Sequence, residues 1–160
     1  MRKTVYFLVK PFDTGNDHPT LEYLRKNLSG DDEKVITVEK PKYKNWLEEA
    51  VDLPNRVNKI KQEIGKVPRG TTIIIVSASL GGLESVLACE DSNKIDGLVI
   101  INGFFDKGIV DPQLKRFRYL LSIVKYFNGT LRKLESGLRE IDFSKIKAKV
   151  LVFLTEDDES

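Results

Sequence analysis

The residues best suited to chemistry lie at positions 77–82, between an apolar run and a helix-like segment. The hexad reads Ser77-Ala78-Ser79-Leu80-Gly81-Gly82. A serine on a sharp turn from strand to helix, followed two residues later by glycine, is typical of a nucleophile elbow, whose hydroxyl attacks a carbonyl. Ser77 takes the place of the first glycine in the usual G-x-S-x-G pattern. We therefore interpret Ser79 as the candidate nucleophile, with Ser77, Gly81 and Gly82 shaping the turn.

A serine hydroxyl needs a general base to take its proton, and His18 is the only histidine in the chain. One interpretation is that His18 is a solvated loop residue between Asp17 and Pro19. The other is that it acts at the site, which requires its loop to lie beside Ser79 in the fold. The residues alone leave both interpretations open.

Five apolar runs predict the strands that would position these loops. They are nearly continuous in Val, Ile, Leu and Phe, which is typical of parallel strands covered on both faces. The runs cover residues 4–9, 34–38, 71–77, 97–102 and 149–154. Segments with helical period lie between them, marked by Leu21, Leu24 and Leu28, by Val57, Ile60 and Ile64 after Pro54, and by stripes over 114–127 and 131–138.

This alternation predicts a three-layer α/β/α domain with a mostly parallel five-stranded sheet. We expect the strand order 2-1-3-4-5, in which the chain reverses direction across the sheet between the first and third strands. Ligands favour the crevice at such a switch point. The loops that meet there are 10–20 and 77–82, so this order places His18 and Ser79 on neighbouring loops.

Composition limits the class of protein. With 160 residues, 41% apolar and 31% charged, we expect one soluble domain over 1–160. The 26 basic and 24 acidic residues nearly cancel, and the basic and aromatic residues of 115–127 keep the spacing of an amphipathic helix, so we expect no nucleic-acid partner. No apolar run approaches transmembrane length, so we expect no membrane association and a cytoplasmic location. The oligomeric state stays open.

Cys89 is the only cysteine, which rules out an internal disulfide and a cysteine-based zinc cluster. We expect it to pack in the core as a small apolar residue. No metal or cofactor is predicted, since neither a Walker lysine nor a complete dinucleotide glycine pattern accompanies 77–82. One Met, two Gln and many Lys, Glu and Ile residues are typical of heat-adapted proteins.

The hexad at 77–82 resembles the elbow of the α/β-hydrolase superfamily, commonly G-H-S-M-G-G, and the chain is similar overall to its small single-domain serine hydrolases. By this resemblance Ser79 aligns with the nucleophile. The run 4–9 followed by Lys10-Pro11-Phe12 is similar to the family strand and His-Gly-x turn that form the oxyanion loop. The resemblance implies that the backbone N–H groups of Phe12 and Leu80 stabilise the oxyanion, at about 3 kcal/mol per donor.

The last apolar run and its tail, 146–158, resemble the family strand that ends in G-x-x-D, whose aspartate orients the catalytic histidine. On this alignment Asp158 is the acid, with Asp157 one position away. A variant of the family places the acid after the preceding strand, where Asp106 follows Gly103-Phe104-Phe105. Segment 111–138 then lies where the family inserts its cap or lid.

In the family the catalytic histidine follows one further strand after the acid, whereas this sequence ends two residues after Asp158. Three interpretations stay open: a partial sequence, a relative without activity, or His18 acting as base from another loop. The leading prediction is a serine hydrolase that acts on a small-molecule ester or thioester through Ser79. The alternatives are a non-catalytic domain of the same architecture, used for binding or assembly, and phosphate binding at the helix N-terminus after Ser79.

Overall fold

The structure is a computed structural model of the chain. It describes residues 3–11, 18–28, 30–44, 48, 52–78, 80–90, 92–101 and 143–153. The statements that follow concern those residues. The predicted helical stripes at 114–127 and 131–138 lie outside them, as does the whole of segment 111–138.

Five strands form one parallel sheet, and their order is β2-β1-β3-β4-β5, as predicted. Every apolar run became a strand because its β-branched and aromatic residues fit a pleated surface buried by its neighbours. The strands are β1 (Thr4–Val9), β2 (Glu33–Val38), β3 (Thr72–Ala78), β4 (Gly97–Ile101) and β5 (Lys149–Phe153).

Three α-helices have both ends within the described ranges, and a short 3-10 helix at Phe143–Lys145 precedes β5. The α-helices are α1 (Pro19–Asn27), α2 (Leu53–Gly65) and α3 (Leu80–Cys89). Proline occupies the first turn of both α1 and α2, where its missing N–H removes no helical hydrogen bond. None of the described helices is both long and apolar enough to cross a membrane.

The core has two parts, one on each face of the sheet. Because successive side chains of a strand point to opposite faces, Phe7 packs with α2 and α3 while its neighbour Leu8 packs with Leu21 of α1. In β3, Ile75 belongs to the first cluster and Val76 to the second. Helices therefore cover the sheet from both sides, which gives the three-layer α/β architecture.

The outer strand β5 is less covered than the sequence predicted. Val150, Leu151 and Phe153 are each about half exposed, although the apolar run predicted burial on both faces. The physical reason is position: β5 is the edge of the described sheet with β4 as its neighbour, while α1 and α3 pack on β1, β3 and β4. An apolar run predicts that a strand forms. How far that strand is buried depends on its place in the sheet.

The carboxyl ends of the central strands lie at one edge, as a parallel sheet requires. Val9 at the end of β1 pairs with Val38 on one side and with Ser77 on the other. Ser77 pairs in turn with Ile100 of β4. The segments that follow β1, β2 and β3 therefore start side by side, and this edge is where the predicted site falls.

Candidate active site

The strand β3 and the helix α3 follow one another closely in the chain. β3 ends at Ala78 and α3 begins at Leu80, so a single position, Ser79, joins strand to helix. Ser79 itself lies outside the described residues. The geometry of the site is therefore built from its two neighbours and from the residues that pack around them.

Gly81 brings the first turn of α3 against the end of β1. A Cβ atom built on Gly81 would lie 2.8 Å from the carbonyl oxygen of Lys10 and 2.8 Å from that of Val9. Both atoms belong to the backbone, so they cannot swing away as a flexible side chain would. Only glycine permits this approach of helix to strand. Gly82 lies in the same turn and is buried.

Leu80, a predicted oxyanion donor, is the first residue of α3. The first N–H groups of an α-helix have no partner within the helix, and the aligned peptide dipoles make this end partially positive. Such donors stabilise negative charge that develops on a carbonyl oxygen during acyl transfer. The second predicted donor, the N–H of Phe12, lies outside the described residues, but the preceding Pro11 is described.

Ser77 points away from this edge. It is fully buried, and its hydroxyl donates to the Val99 carbonyl oxygen of β4 at 3.2 Å. The extra hydroxyl, relative to the glycine of the usual pattern, is accommodated by a hydrogen bond within the sheet. Ser77 is therefore a packing residue of β3, which agrees with its interpretation as a replacement for glycine.

A buried ionic cluster lies beneath the turn, and we call Lys40, Arg56 and Glu84 the buried triad. The Glu84 Oε1 atom of α3 lies 3.1 Å from Lys40 Nζ and 3.2 Å from Arg56 Nη1. All three side chains are at most 4% exposed. In so dry an environment each charge depends on its partners, because a lone buried charge is strongly unfavourable.

Two further contacts connect the buried triad to its surroundings. Lys40 Nζ donates to the Pro11 carbonyl oxygen at 2.9 Å. The Arg56 guanidinium carbon lies 5.7 Å from the centre of the Tyr43 ring, within range of a cation–π contact. The Tyr43 hydroxyl donates to Asp52 at the start of α2. The cluster thus connects the ends of β1 and β2 with α2 and α3.

His18 lies immediately before the first residue of α1, where its carbonyl oxygen accepts from Glu22 N–H at 3.0 Å. Its ring is partly buried, and Nδ1 has no hydrogen-bond partner among the described residues. The ring lines a small pocket with residues of β1, β2 and α1, namely Leu8, Lys10, Leu21, Glu22, Arg25 and Thr37. His18 is therefore less solvated than a free loop residue, and its described neighbours come from the β1–β2 side of the sheet.

Cys89 packs in the core as predicted. It is 1% exposed and belongs to the cluster between the sheet and α3. Burial raises the pKa of its thiol to about 12, because desolvation disfavours the thiolate. Cys89 is thus an inert packing residue in the folded protein. Across the described ranges, no group of three or more His, Cys, Asp or Glu side chains could hold a metal ion.

A scan against protein-family models and a search of the curated proteins found no match to this chain.

The remaining predicted site residues fall outside the described ranges. They are Ser79, Phe12, Asp106, Asp157 and Asp158. Their roles stay predictions. The described part brings together the residues on either side of Ser79, the backbone of Lys10 and Pro11, and the buried triad.

Glu84 was missed by the sequence reasoning, although one signal pointed to it. It is the only charged residue within Leu80–Cys89, a helix that is otherwise apolar or small in every direction. A helix without a polar face is buried, and a buried carboxylate needs a cationic partner. The sequence did not reveal which cations pair with Glu84, since Lys40 and Arg56 lie 44 and 28 positions away.

Proposed function

We propose that this protein is a serine hydrolase of the α/β-hydrolase type, acting on an ester or thioester through Ser79. The observation that carries the proposal is the approach of Gly81 to the carbonyl oxygens of Val9 and Lys10. This close approach places the first turn of α3, with its N–H donors, against the segment that follows β1. Nucleophile and oxyanion donors of a serine hydrolase must converge in this way.

Each residue has a defined role in the proposed reaction. The Ser79 hydroxyl oxygen attacks the substrate carbonyl carbon while its proton passes to a histidine. The carbonyl oxygen becomes an oxyanion, to which Leu80 N–H and Phe12 N–H donate. Collapse of this intermediate breaks the bond to the leaving alcohol or thiol, which takes the proton from the histidine. Water then attacks the acyl-enzyme by the same steps, releasing the acid and restoring Ser79.

The proposed base is His18, and the proposed acid that orients a histidine is Asp158. His18 is supported by its position at the start of α1, beyond the carboxyl end of β1, and by its partly buried ring. Asp158 is supported by the resemblance of 146–158 to the family strand, with Asp157 and Asp106 as alternatives. The reaction requires no cofactor or metal, because the hydroxyl, the base and the N–H donors supply the chemistry. We retain a cytoplasmic location as part of the proposal.

An active-site label that reacts with activated serine tests this function. A fluorophosphonate probe is expected to modify the folded protein at Ser79, as located by peptide mass spectrometry, and Ser79→Ala is expected to abolish the modification. Ser92→Ala provides the matched control, since Ser92 follows the opposite end of α3, and it should label like the parent protein. A folded sample that resists the probe would contradict the proposal and favour a non-catalytic domain of the same architecture.

A further inference from the structure

A cleft of about 180 Å³ lies at the amino end of the sheet, opposite to the edge that carries the proposed active site. Most of its lining comes from two segments that lead into strands, residues 67–71 before β3 and residues 93–96 before β4. β3 is seven residues long, and a strand rises about 3.3 Å per residue, so about 20 Å separate its two ends. The cleft is therefore distinct from the proposed active site.

The two segments are fastened to each other at the floor of the cleft. Asp96 N–H donates to the Ile73 carbonyl oxygen at 2.9 Å, and Ile73 N–H donates to the Asp96 carboxylate atom Oδ2 at 2.9 Å. Each segment also places one side chain in the core, Val67 in the first and Ile95 in the second. A cleft whose walls are fixed in this way loses little conformational entropy when it binds a ligand.

A tight turn over residues 68–71 places Arg69 in one wall. Thr71 N–H donates to the Pro68 carbonyl oxygen at 3.4 Å, and Gly70 between them has a φ of 84°, which favours glycine. Arg69 is exposed, and its guanidinium forms no hydrogen bond or ion pair with another described residue. Its five N–H donors are therefore open to a ligand in the cleft.

Lys94 supplies a second cation from the other segment. Its Nζ atom donates to the Gly65 carbonyl oxygen at 3.3 Å, where a cation offsets the partial negative charge at the end of α2. Lys94 N–H also donates to Ser92 Oγ at 3.3 Å, which fixes the backbone there. An ammonium group has three N–H donors, and the contact with Gly65 uses one. The ammonium is thus held beside the cleft with two donors left for a ligand.

The side chains that line the cleft favour an anion. Arg69 and Lys94 are cations, and Thr71 and Asn93 add a hydroxyl and an amide donor. Asp96 is the one carboxylate among the lining residues, and its Oδ2 atom accepts a backbone N–H of β3. A phosphate group carries a charge of about −1.5 to −2 at neutral pH and three acceptor oxygens, which matches two cations and two uncharged donors. Arginine can also bind two phosphate oxygens at once.

The volume of the cleft limits the size of such a ligand. About 180 Å³ equals the volume of about six water molecules in the liquid. This accommodates a phosphate group with a few carbon atoms, whereas larger organic ligands occupy pockets of about 300 Å³ or more.

We propose that this cleft binds a small phosphate compound, with Arg69 and Lys94 contacting the phosphate oxygens and with Thr71 and Asn93 as further donors. The site is independent of the proposed hydrolase activity, since it lies at the other end of β3 and uses none of the residues assigned to that reaction.

Titration of the isotope-labelled protein with inorganic phosphate, followed through its backbone amide signals by NMR, tests the site. At low salt, where screening is weak, the amides of residues 69–73 and 93–96 are expected to shift and to saturate with a Kd of about 1 mM or less. Glycerol 3-phosphate binding more tightly than phosphate would identify an organic phosphate as the ligand, and weaker binding would identify free phosphate. Glycerol alone should cause no shift. If these amides show no saturable shift with up to about 20 mM phosphate, the proposal is wrong.

Substitution of both cations decides whether the cleft itself binds the anion. The double variant Arg69→Met with Lys94→Met is expected to bind phosphate at least about tenfold more weakly. Arg25→Met with Lys26→Met is the matched control, because it removes the same two residue types from exposed positions on α1, and it should bind like the parent.

Circular dichroism verifies that each variant is folded. If the double variant does not fold, Asn93→Asp takes its place. This substitution keeps the size of the side chain, adds a negative charge to the cleft and should weaken binding by at least about fivefold. A folded cleft variant that binds phosphate like the parent would overturn the proposal. An equal loss in the control on α1 would also overturn it, because binding would then follow net charge alone.

Discussion

The carbonyl oxygen of Lys10 lies 2.8 Å from the point that a Cβ atom on Gly81 would occupy. Real Cβ atoms do not approach oxygen so closely, so this pair defines the minimum distance between α3 and the end of β1. The glycine in the hexad is thus required by the packing of a helix on a neighbouring strand, in addition to any need for a flexible turn.

Gly81→Ala is expected to destabilise the protein by about 1–3 kcal/mol, because the added methyl group forces α3 away from two backbone carbonyls. Urea unfolding measures the loss. The same displacement separates Leu80 N–H from the segment after β1, so labelling of Ser79 should slow in the folded fraction.

Gly65→Ala is the matched control for this substitution. Gly65 ends α2, and a Cβ atom there would meet nothing within 4 Å. The change is expected to be neutral or to stabilise by up to about 0.5–1 kcal/mol, since alanine loses less conformational entropy. Equal stability of both alanine variants would show that the close approach at Gly81 is absent in solution.

Glu84→Gln is expected to be far more harmful than Lys40→Met. Without the carboxylate, the cations of Lys40 and Arg56 face each other in a buried site, a loss of about 3–5 kcal/mol. Lys40→Met leaves the pair of Glu84 and Arg56 intact and should lower the free energy of unfolding by less. Denaturant midpoints show which of the two variants is the less stable. If Lys40→Met were the less stable, Glu84 would not be the group that holds both cations.

Burial of the Cys89 thiol is expected to lower the stability of the protein at alkaline pH. Its pKa rises from 9.0 to about 12 on folding, so between these values the unfolded chain loses the thiol proton while the folded protein keeps it. Ionisation of the thiol therefore does not change the free energy of unfolding below pH 9. Above pH 9 it lowers the free energy of unfolding by about 1.4 kcal/mol per pH unit. Cys89→Ala should remove this part of the slope. The difference between parent and variant, measured by unfolding from pH 8 to 11, isolates it from other titrating groups.

His18→Asn tests the proposed base. Asparagine is a favourable residue before a helix, so the variant should fold at least as well as the parent. If His18 takes the proton of Ser79, the rate of fluorophosphonate labelling is expected to fall by about 10²–10⁴-fold. Lys26→Met, on the exposed side of α1, serves as control and should label at the parent rate. An unchanged rate in His18→Asn would exclude His18 as the base that takes the proton of Ser79.

Much of the sheet could be predicted from the sequence because its strands are apolar runs with few interruptions. β1 begins and ends where the pattern placed it. β2 begins one residue earlier than predicted, at Glu33, since an exposed charged residue at a sheet edge gives no apolar signal. β3 extends to Ala78, one residue beyond the predicted end, because its pairing with Ile101 of β4 continues there.

The site was predictable only where its chemistry is local in sequence. The strand, the turn and the glycines of 77–82 follow one another along the chain, so the pattern could be recognised. The contact of Lys40 with Glu84 joins residues 44 positions apart, and it exists because two loops and a helix meet at one edge of the sheet. No local pattern encodes such a meeting.

The buried triad also gives the site a characteristic response to heat. Hydration of charged groups becomes less favourable as temperature rises, so the cost of keeping Lys40, Arg56 and Glu84 away from water declines on warming. The electrostatic attraction between them persists over the same range. Pro11, just after β1, is thus fastened to α3 through Lys40 and Glu84 by contacts whose relative strength increases with temperature, over a range in which the stabilisation from apolar burial levels off.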